Sequence, residues 1–150
     1  MALTPGSAVF LDTNILVYAS FPGTQFYDGA RARLTELESD GVLFWTSRQV
    51  LREYLASTPQ PGAKVPPPTL EGLSVSRSPI RSRIRDRRLG RRRHSHPTRL
   101  VEVAKCPGKQ IHDANIVATM LRYGIPWLLT HNTADFTRYV PDINIMPLVS

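Results

Sequence analysis

The sequence predicts an α/β fold: a mainly parallel sheet with helices covering both faces, a three-layer α/β/α arrangement. Three observations carry this expectation. Short apolar runs of strand length recur along the chain, and between them lie stretches with the 3.6-residue spacing of amphipathic helices. The 150 residues suit one compact domain. At that size a chain buries roughly 68–70% of its unfolded surface, enough for a core without disulfide staples.

The first run, Ala8-Val9-Phe10-Leu11, reads as a buried strand ending at Asp12. Residues 15–19 continue as an apolar helical stretch, and Pro22-Gly23 marks a turn. Over residues 25–39 the apolar positions Phe26, Ala30, Leu34 and Leu37 fall on one helix face, which Asp40-Gly41 ends. Val42-Leu43-Phe44-Trp45 reads as a second buried strand. Thr46 or Ser47 caps the next helix, which runs to about Ala56 with Val50, Leu51, Tyr54 and Leu55 on its buried side. Order returns at Gly108 with an apolar stripe of Ile111, Ala114, Val117, Ala118 and Leu121, and Gly124 is placed to stop that helix. Residues 125–129 read as a strand, 130–139 as a loop with a short helix, and 143–148 as a last strand.

Composition excludes several classes. The lone cysteine, Cys106, cannot form an internal disulfide, which argues against a disulfide-built secreted scaffold. No run reaches the length of a membrane span. The start of the chain lacks a signal-peptide pattern, so the expected setting is the cytoplasm, away from any membrane. No glycine spacing matches GxGxxG or a P-loop.

The formal net charge is +7, unevenly spread. Residues 77–99 hold ten arginines against one acid, Asp86, a net +9, while the remainder carries nine basic and eleven acidic residues, a net −2. Five prolines (Pro59, Pro61, Pro66, Pro67 and Pro68) precede this segment as a loop or linker. Across residues 72–107 no continuous helical or strand pattern is present. Three readings stand for it. It is an RNA-binding arm, though without aromatic residues to stack on bases. It is a solvated insertion. Or it is the product of two compensating frameshifts, because Arg, Ser, Pro and His are what an out-of-frame GC-rich gene tends to encode. His94 and His96 within it have no acidic or cysteine partners that would make a metal site.

Four acids recur at positions suited to chemistry. Asp12 follows the first strand, Glu53 flanks the buried side of its helix, Asp113 falls in the first turn of its helix, and Asp135 follows the third strand. In α/β sheets the working residues gather beyond the carboxyl ends of the strands. Each acid alone also has a structural use as a helix cap, a dipole partner or a solvated side chain. His112 and His131 adjoin acidic positions and read as pocket-edge or core residues.

The segments VFLDTNILVYA (residues 9–19), SRQVLREYLA (47–56), HDANIVAT (112–119) and LLTHNTADFTRY (128–139) resemble PIN-domain ribonucleases. Within that family they are most similar to VapC-like toxins of type II toxin–antitoxin pairs. The resemblance covers residues 7–58 and 108–150. It implies one PIN-like domain with Asp12, Glu53, Asp113 and Asp135 forming an acidic pocket, supported by Thr13, Thr130 and Asn132. It also implies an RNA substrate, a small antitoxin partner and a homodimer.

Elementary electrostatics says what such a pocket needs. Two carboxylates about 4 Å apart repel by roughly 4 kcal/mol at an effective dielectric of 20, so four converging acids call for a cation. Oxygen-only donors suit Mg²⁺ or Mn²⁺ rather than Zn²⁺. Asp12 and Asp113 are the expected direct ligands, with Glu53 and Asp135 acting through water or on the attacking water. Together with the resemblance, this implies Mg²⁺-dependent hydrolysis of RNA phosphodiester bonds as the expected activity. The alternative is a PIN-fold chain without catalysis, a binding module or a damaged relic. A receiver- or phosphatase-type protein is less well matched, since Thr13 and Asn14 stand where such proteins carry a second acid.

Overall fold

A computed structural model describes residues 3–57 and 108–149. The Pro-rich stretch, the Arg-rich segment, His94, His96 and Cys106 lie outside the described residues. Strand β1 (Ala8–Leu11) leads into helices α1 (Thr13–Ser20) and α2 (Tyr27–Ser39), then β2 (Leu43–Trp45) and α3 (Arg48–Ser57). The chain resumes with α4 (Gly108–Tyr123), β3 (Trp127–Thr130), the short α5 (Thr133–Phe136), a 3₁₀ turn (Thr137–Tyr139) and β4 (Asn144–Pro147). Among the described residues the four strands form one all-parallel sheet in the order β2-β1-β3-β4. The fold is thus mixed α/β, compatible with three layers.

Parallel sheets are buried on both faces, and the two central strands follow that rule. Val9, Phe10 and Leu11 of β1, and Leu128, Leu129 and Thr130 of β3, are all 0% exposed. The strand order sets the geometry of the site. From β1 the chain moves outward to β2, and it later returns to the other side of β1 to lay down β3. This reversal makes a switch point, with a crevice outside the carboxyl ends of β1 and β3. Register there pairs Leu11 with Leu129, and Asp12 N–H donates to the Leu129 carbonyl at 3.1 Å.

Most elements match their sequence patterns. Ala30, Leu34 and Leu37 are buried on α2, which ends before Gly41 at φ +75°. Ser47 caps α3, its Oγ accepting from Val50 N–H at 3.2 Å. Gly124 takes the left-handed conformation at φ +66°, which closes α4 where the sequence placed the stop.

Three expectations are corrected. On α3, Val50 and Tyr54 are buried, but Leu55 is 61% exposed. On α4, Ile111 and Leu121 are exposed, while Ile116 and Met120 join Ala114 and Val117 inside. This helix carries apolar residues around much of its circumference, so spacing alone admits more than one buried face. The face that packs is the one carrying Asp113, which is itself only 4% exposed. Asp113 also stands six residues into α4, in its second turn rather than its first.

Candidate functional site

Asp12 is the N-cap of α1, in extended conformation at the end of β1. Its Oδ1 accepts from Thr13 N–H at 2.6 Å. Its Oδ2 accepts from the Thr130 hydroxyl at 2.7 Å and from Asn14 Nδ2 at 2.8 Å. Thr130, the last residue of β3, also accepts from Asn132 N–H at 3.1 Å and from Asn14 Nδ2 at 3.2 Å. Asn14 closes the network by accepting from His131 N–H at 3.2 Å. The loops after β1 and β3 are thereby fastened together through side chains far apart in sequence.

Burial pushes the Asp12 carboxyl up from its ordinary value of 3.8, because desolvation penalises the charged form. The bonds from Thr130 and Thr13 pull the other way, as does the nearby His112, while the charge of Glu53 adds to the rise. The net direction is upward.

Asp12, Asp113 and Asp135 line one pocket of about 300 Å³, together with Thr13, Asn132 and His112. The three aspartates come from three elements: the end of β1, the second turn of α4 and the first turn of α5. Arg138 reaches Asp113 from the 3₁₀ turn, its guanidinium 3.9 Å from Oδ2.

Glu53 stands just behind this group. Thr13 Oγ1 donates to Glu53 Oε2 at 3.2 Å, and His112 Nδ1 lies 2.7 Å from Glu53 Oε1. Gln49 braces the pair, 2.8 Å from His112 Nδ1 and 3.4 Å from Glu53 Oε1. Both Thr13 and His112 line the pocket, so Glu53 is one hydrogen bond outside it. Thr130 is completely buried and does not line the pocket, so it acts there only through its bond to Asp12.

Two participants escaped the sequence reading. Asn14 links Asp12 to the β3 loop, and its signal was its position two residues after an N-cap aspartate, where a side-chain amide folds back onto the cap. Gln49 stands one turn before Glu53 on α3, the spacing that brings helix side chains together.

All the acidic donors are carboxylate oxygens, the chemistry that hard divalent cations prefer. Asp12 Oδ1 accepts one hydrogen bond, and a carboxylate oxygen has two lone pairs, so Asp12 keeps capacity for a ligand bond. Among the described residues no three His, Cys, Asp or Glu groups form a ready cage for a metal. Mg²⁺ does not require one, since it retains several waters and binds through one or two carboxylates. The donor set fits such an ion.

The fold and site together define a parallel α/β chain with an acidic pocket at its switch point. Comparison with protein families, with curated proteins and with solved structures found no match in any of the three. Among the described residues no helix is long and apolar enough to cross a membrane.

Proposed function

We propose that the chain is a Mg²⁺-dependent endoribonuclease of PIN type, the toxin of a toxin–antitoxin pair. One observation carries the reading: aspartates from three separate elements line a single pocket outside the carboxyl ends of β1 and β3. Asp12 and Asp113 would hold Mg²⁺ or Mn²⁺, and Asp135 would hold its water ligands. Bound there, the ion would supply Lewis-acid stabilisation of the phosphate and a lowered pKa for water. Thr130, Thr13 and Asn14 orient Asp12. Glu53 fixes the ring of His112 through Nδ1 and leaves Nε2 as its second hydrogen-bonding atom. The four sequence blocks that resemble VapC-like toxins supply the RNA substrate, the small antitoxin partner and the homodimer.

A second reading, a PIN-fold binding module without catalysis, draws on one feature. Asp12 and Glu53 are both already engaged within the protein, Asp12 as a helix cap and Glu53 with His112. Purified full-length protein incubated with Mg²⁺ and an RNA containing stems and loops separates the two. The nuclease reading expects cleavage that EDTA stops and that Asp12→Asn and Asp113→Asn each abolish. Equal cleavage by the variants and the wild type would remove the assigned site. A folded wild type that binds RNA and leaves it intact would establish the binding module.

A further inference from the structure

Beside the acidic pocket lies a cluster of three rings that the chemistry above does not use. Tyr18 of α1, Phe26 before α2 and His131 after β3 pack mutually. Ring centroids are 4.2 Å apart for Phe26 and His131, 4.9 Å for Tyr18 and Phe26, and 5.4 Å for Tyr18 and His131. All three side chains are only partly buried. Tyr18 lines the same pocket as Asp12 and Asp113. Thr13, Asn14, Val17 and Tyr18 present one face of α1 to that pocket, so its wall passes from polar to aromatic along the helix.

We infer that the Tyr18 ring, backed by Phe26 and His131, is a nucleobase subsite, which stacks an unpaired base next to the phosphate held at the acidic pocket. The inference rests on the nuclease reading and adds to it a residue that contacts a base of the substrate rather than its phosphate. The spacing suits that role: Tyr18 stands six positions after Asp12, on the order of 9 Å along the α1 axis, about the reach of one nucleotide. The wall is also rigidly registered to the acids. Asn14 bonds Asp12 Oδ2 with its amide and accepts from His131 N–H, which ties the ring-bearing loop to the cap of α1. A base paired inside a duplex has no free face to offer, whereas an unpaired base stacks on any aromatic plane. Such a subsite is tolerant of base identity and selective for strandedness.

The test measures binding rather than turnover. Full-length protein in Ca²⁺ is titrated with three fluorescein-labelled ligands: a single-stranded hexaribonucleotide, the same strand with one abasic position, and a blunt RNA duplex. Arginine-rich regions attract the backbone of the intact and abasic strands alike, so the ratio of their affinities isolates stacking. Wild type is expected to bind the intact strand roughly 5- to 150-fold more tightly than the strand abasic at the stacked position. Tyr18→Leu, which keeps apolar bulk without a π-face, is expected to collapse that ratio, and Tyr18→Phe to keep it. A ratio of one in the wild type at every abasic position overturns the inference, whatever the variants do. An unchanged ratio in a folded Tyr18→Leu overturns it as well. RNA cleavage with a flat ratio removes the subsite alone. A Tyr18-dependent ratio in a protein that never cleaves removes the nuclease reading and upholds the subsite.

Discussion

Thr130→Val probes the link between the fold and the acidic pocket. The substitution keeps shape and nearly keeps volume, so no large cavity opens. It deletes one hydroxyl that is 0% exposed, donates to Asp12 Oδ2 at 2.7 Å, and accepts from Asn132 N–H at 3.1 Å. A hydrogen bond to an ionised group contributes about 1.5–3 kcal/mol. Asn132 is exposed and its N–H can turn to water, and Asn14 keeps its bond to Asp12, so neither adds much. The expected loss at neutral pH is about 2–3 kcal/mol, a large share of the 5–15 kcal/mol that stabilises a typical domain.

The loss should depend on pH. Burial raises the folded pKa of Asp12 above its ordinary 3.8. Between those two values the folded state binds more protons than the unfolded one, so stability falls as pH rises through the window. Removing the Thr130 bond, which lowers that pKa, widens the window and deepens the fall. Below it Asp12 is protonated and the deleted bond is an ordinary neutral one, of about 0.5–1.5 kcal/mol. Urea unfolding of metal-free wild type and Thr130→Val, at a series of pH values from about 4 to 8, measures this. The curves should converge on the acid side and separate toward neutrality. A penalty under about 0.5 kcal/mol, or one that is flat with pH, would refute the coupling between Thr130 and an ionised Asp12.

Three further outcomes follow from the same geometry. Met120→Ala should cost about 2–5 kcal/mol and Leu121→Ala less than about 0.5, since Met120 is 0% and Leu121 54% exposed; urea midpoints that reverse this order would contradict the buried face of α4. Gly124→Ala should cost about 1–2 kcal/mol in thermal melts, because φ is +66° there although the space around it is open. Mg²⁺ at a hundred times its Kd should stabilise the protein by about 2.7 kcal/mol, and less as pH falls and Asp12 takes up a proton; calorimetry detecting no Mg²⁺ binding would remove the metal assignment.

Local signals carried much of the fold. The Val9-Phe10-Leu11 run, the Leu34 and Leu37 face, the Ser47 cap and the Gly124 stop are all written within a few residues of where they act. Helix phase was legible only where one face is clearly apolar, as on α2. On α4, Ile111 and Leu121 fit a helical stripe as well as Ile116 and Met120 do, and packing against the rest of the core made the choice. The candidate acids were legible as separate positions following strands or set on helices. The expected split set Glu53 and Asp135 together outside Asp12 and Asp113; in the structure Asp135 lines the pocket with the other two aspartates, and Glu53 alone turns to His112 and Gln49, partners that no local pattern records.

By itself, then, the sequence determined the alternation of strands and helices, the placement of Asp12 at the end of β1 and the basic excess confined to residues 77–99. Only the tertiary structure decided that β3 lies beside β1, which puts Thr130 against Asp12 across 118 residues of chain. Periodicity records which side of an element is apolar and carries no information on strand order. Strand order comes from how the whole set of buried faces closes over one core, and here that closure brings three aspartates, Asn14 and Tyr18 to a single crevice.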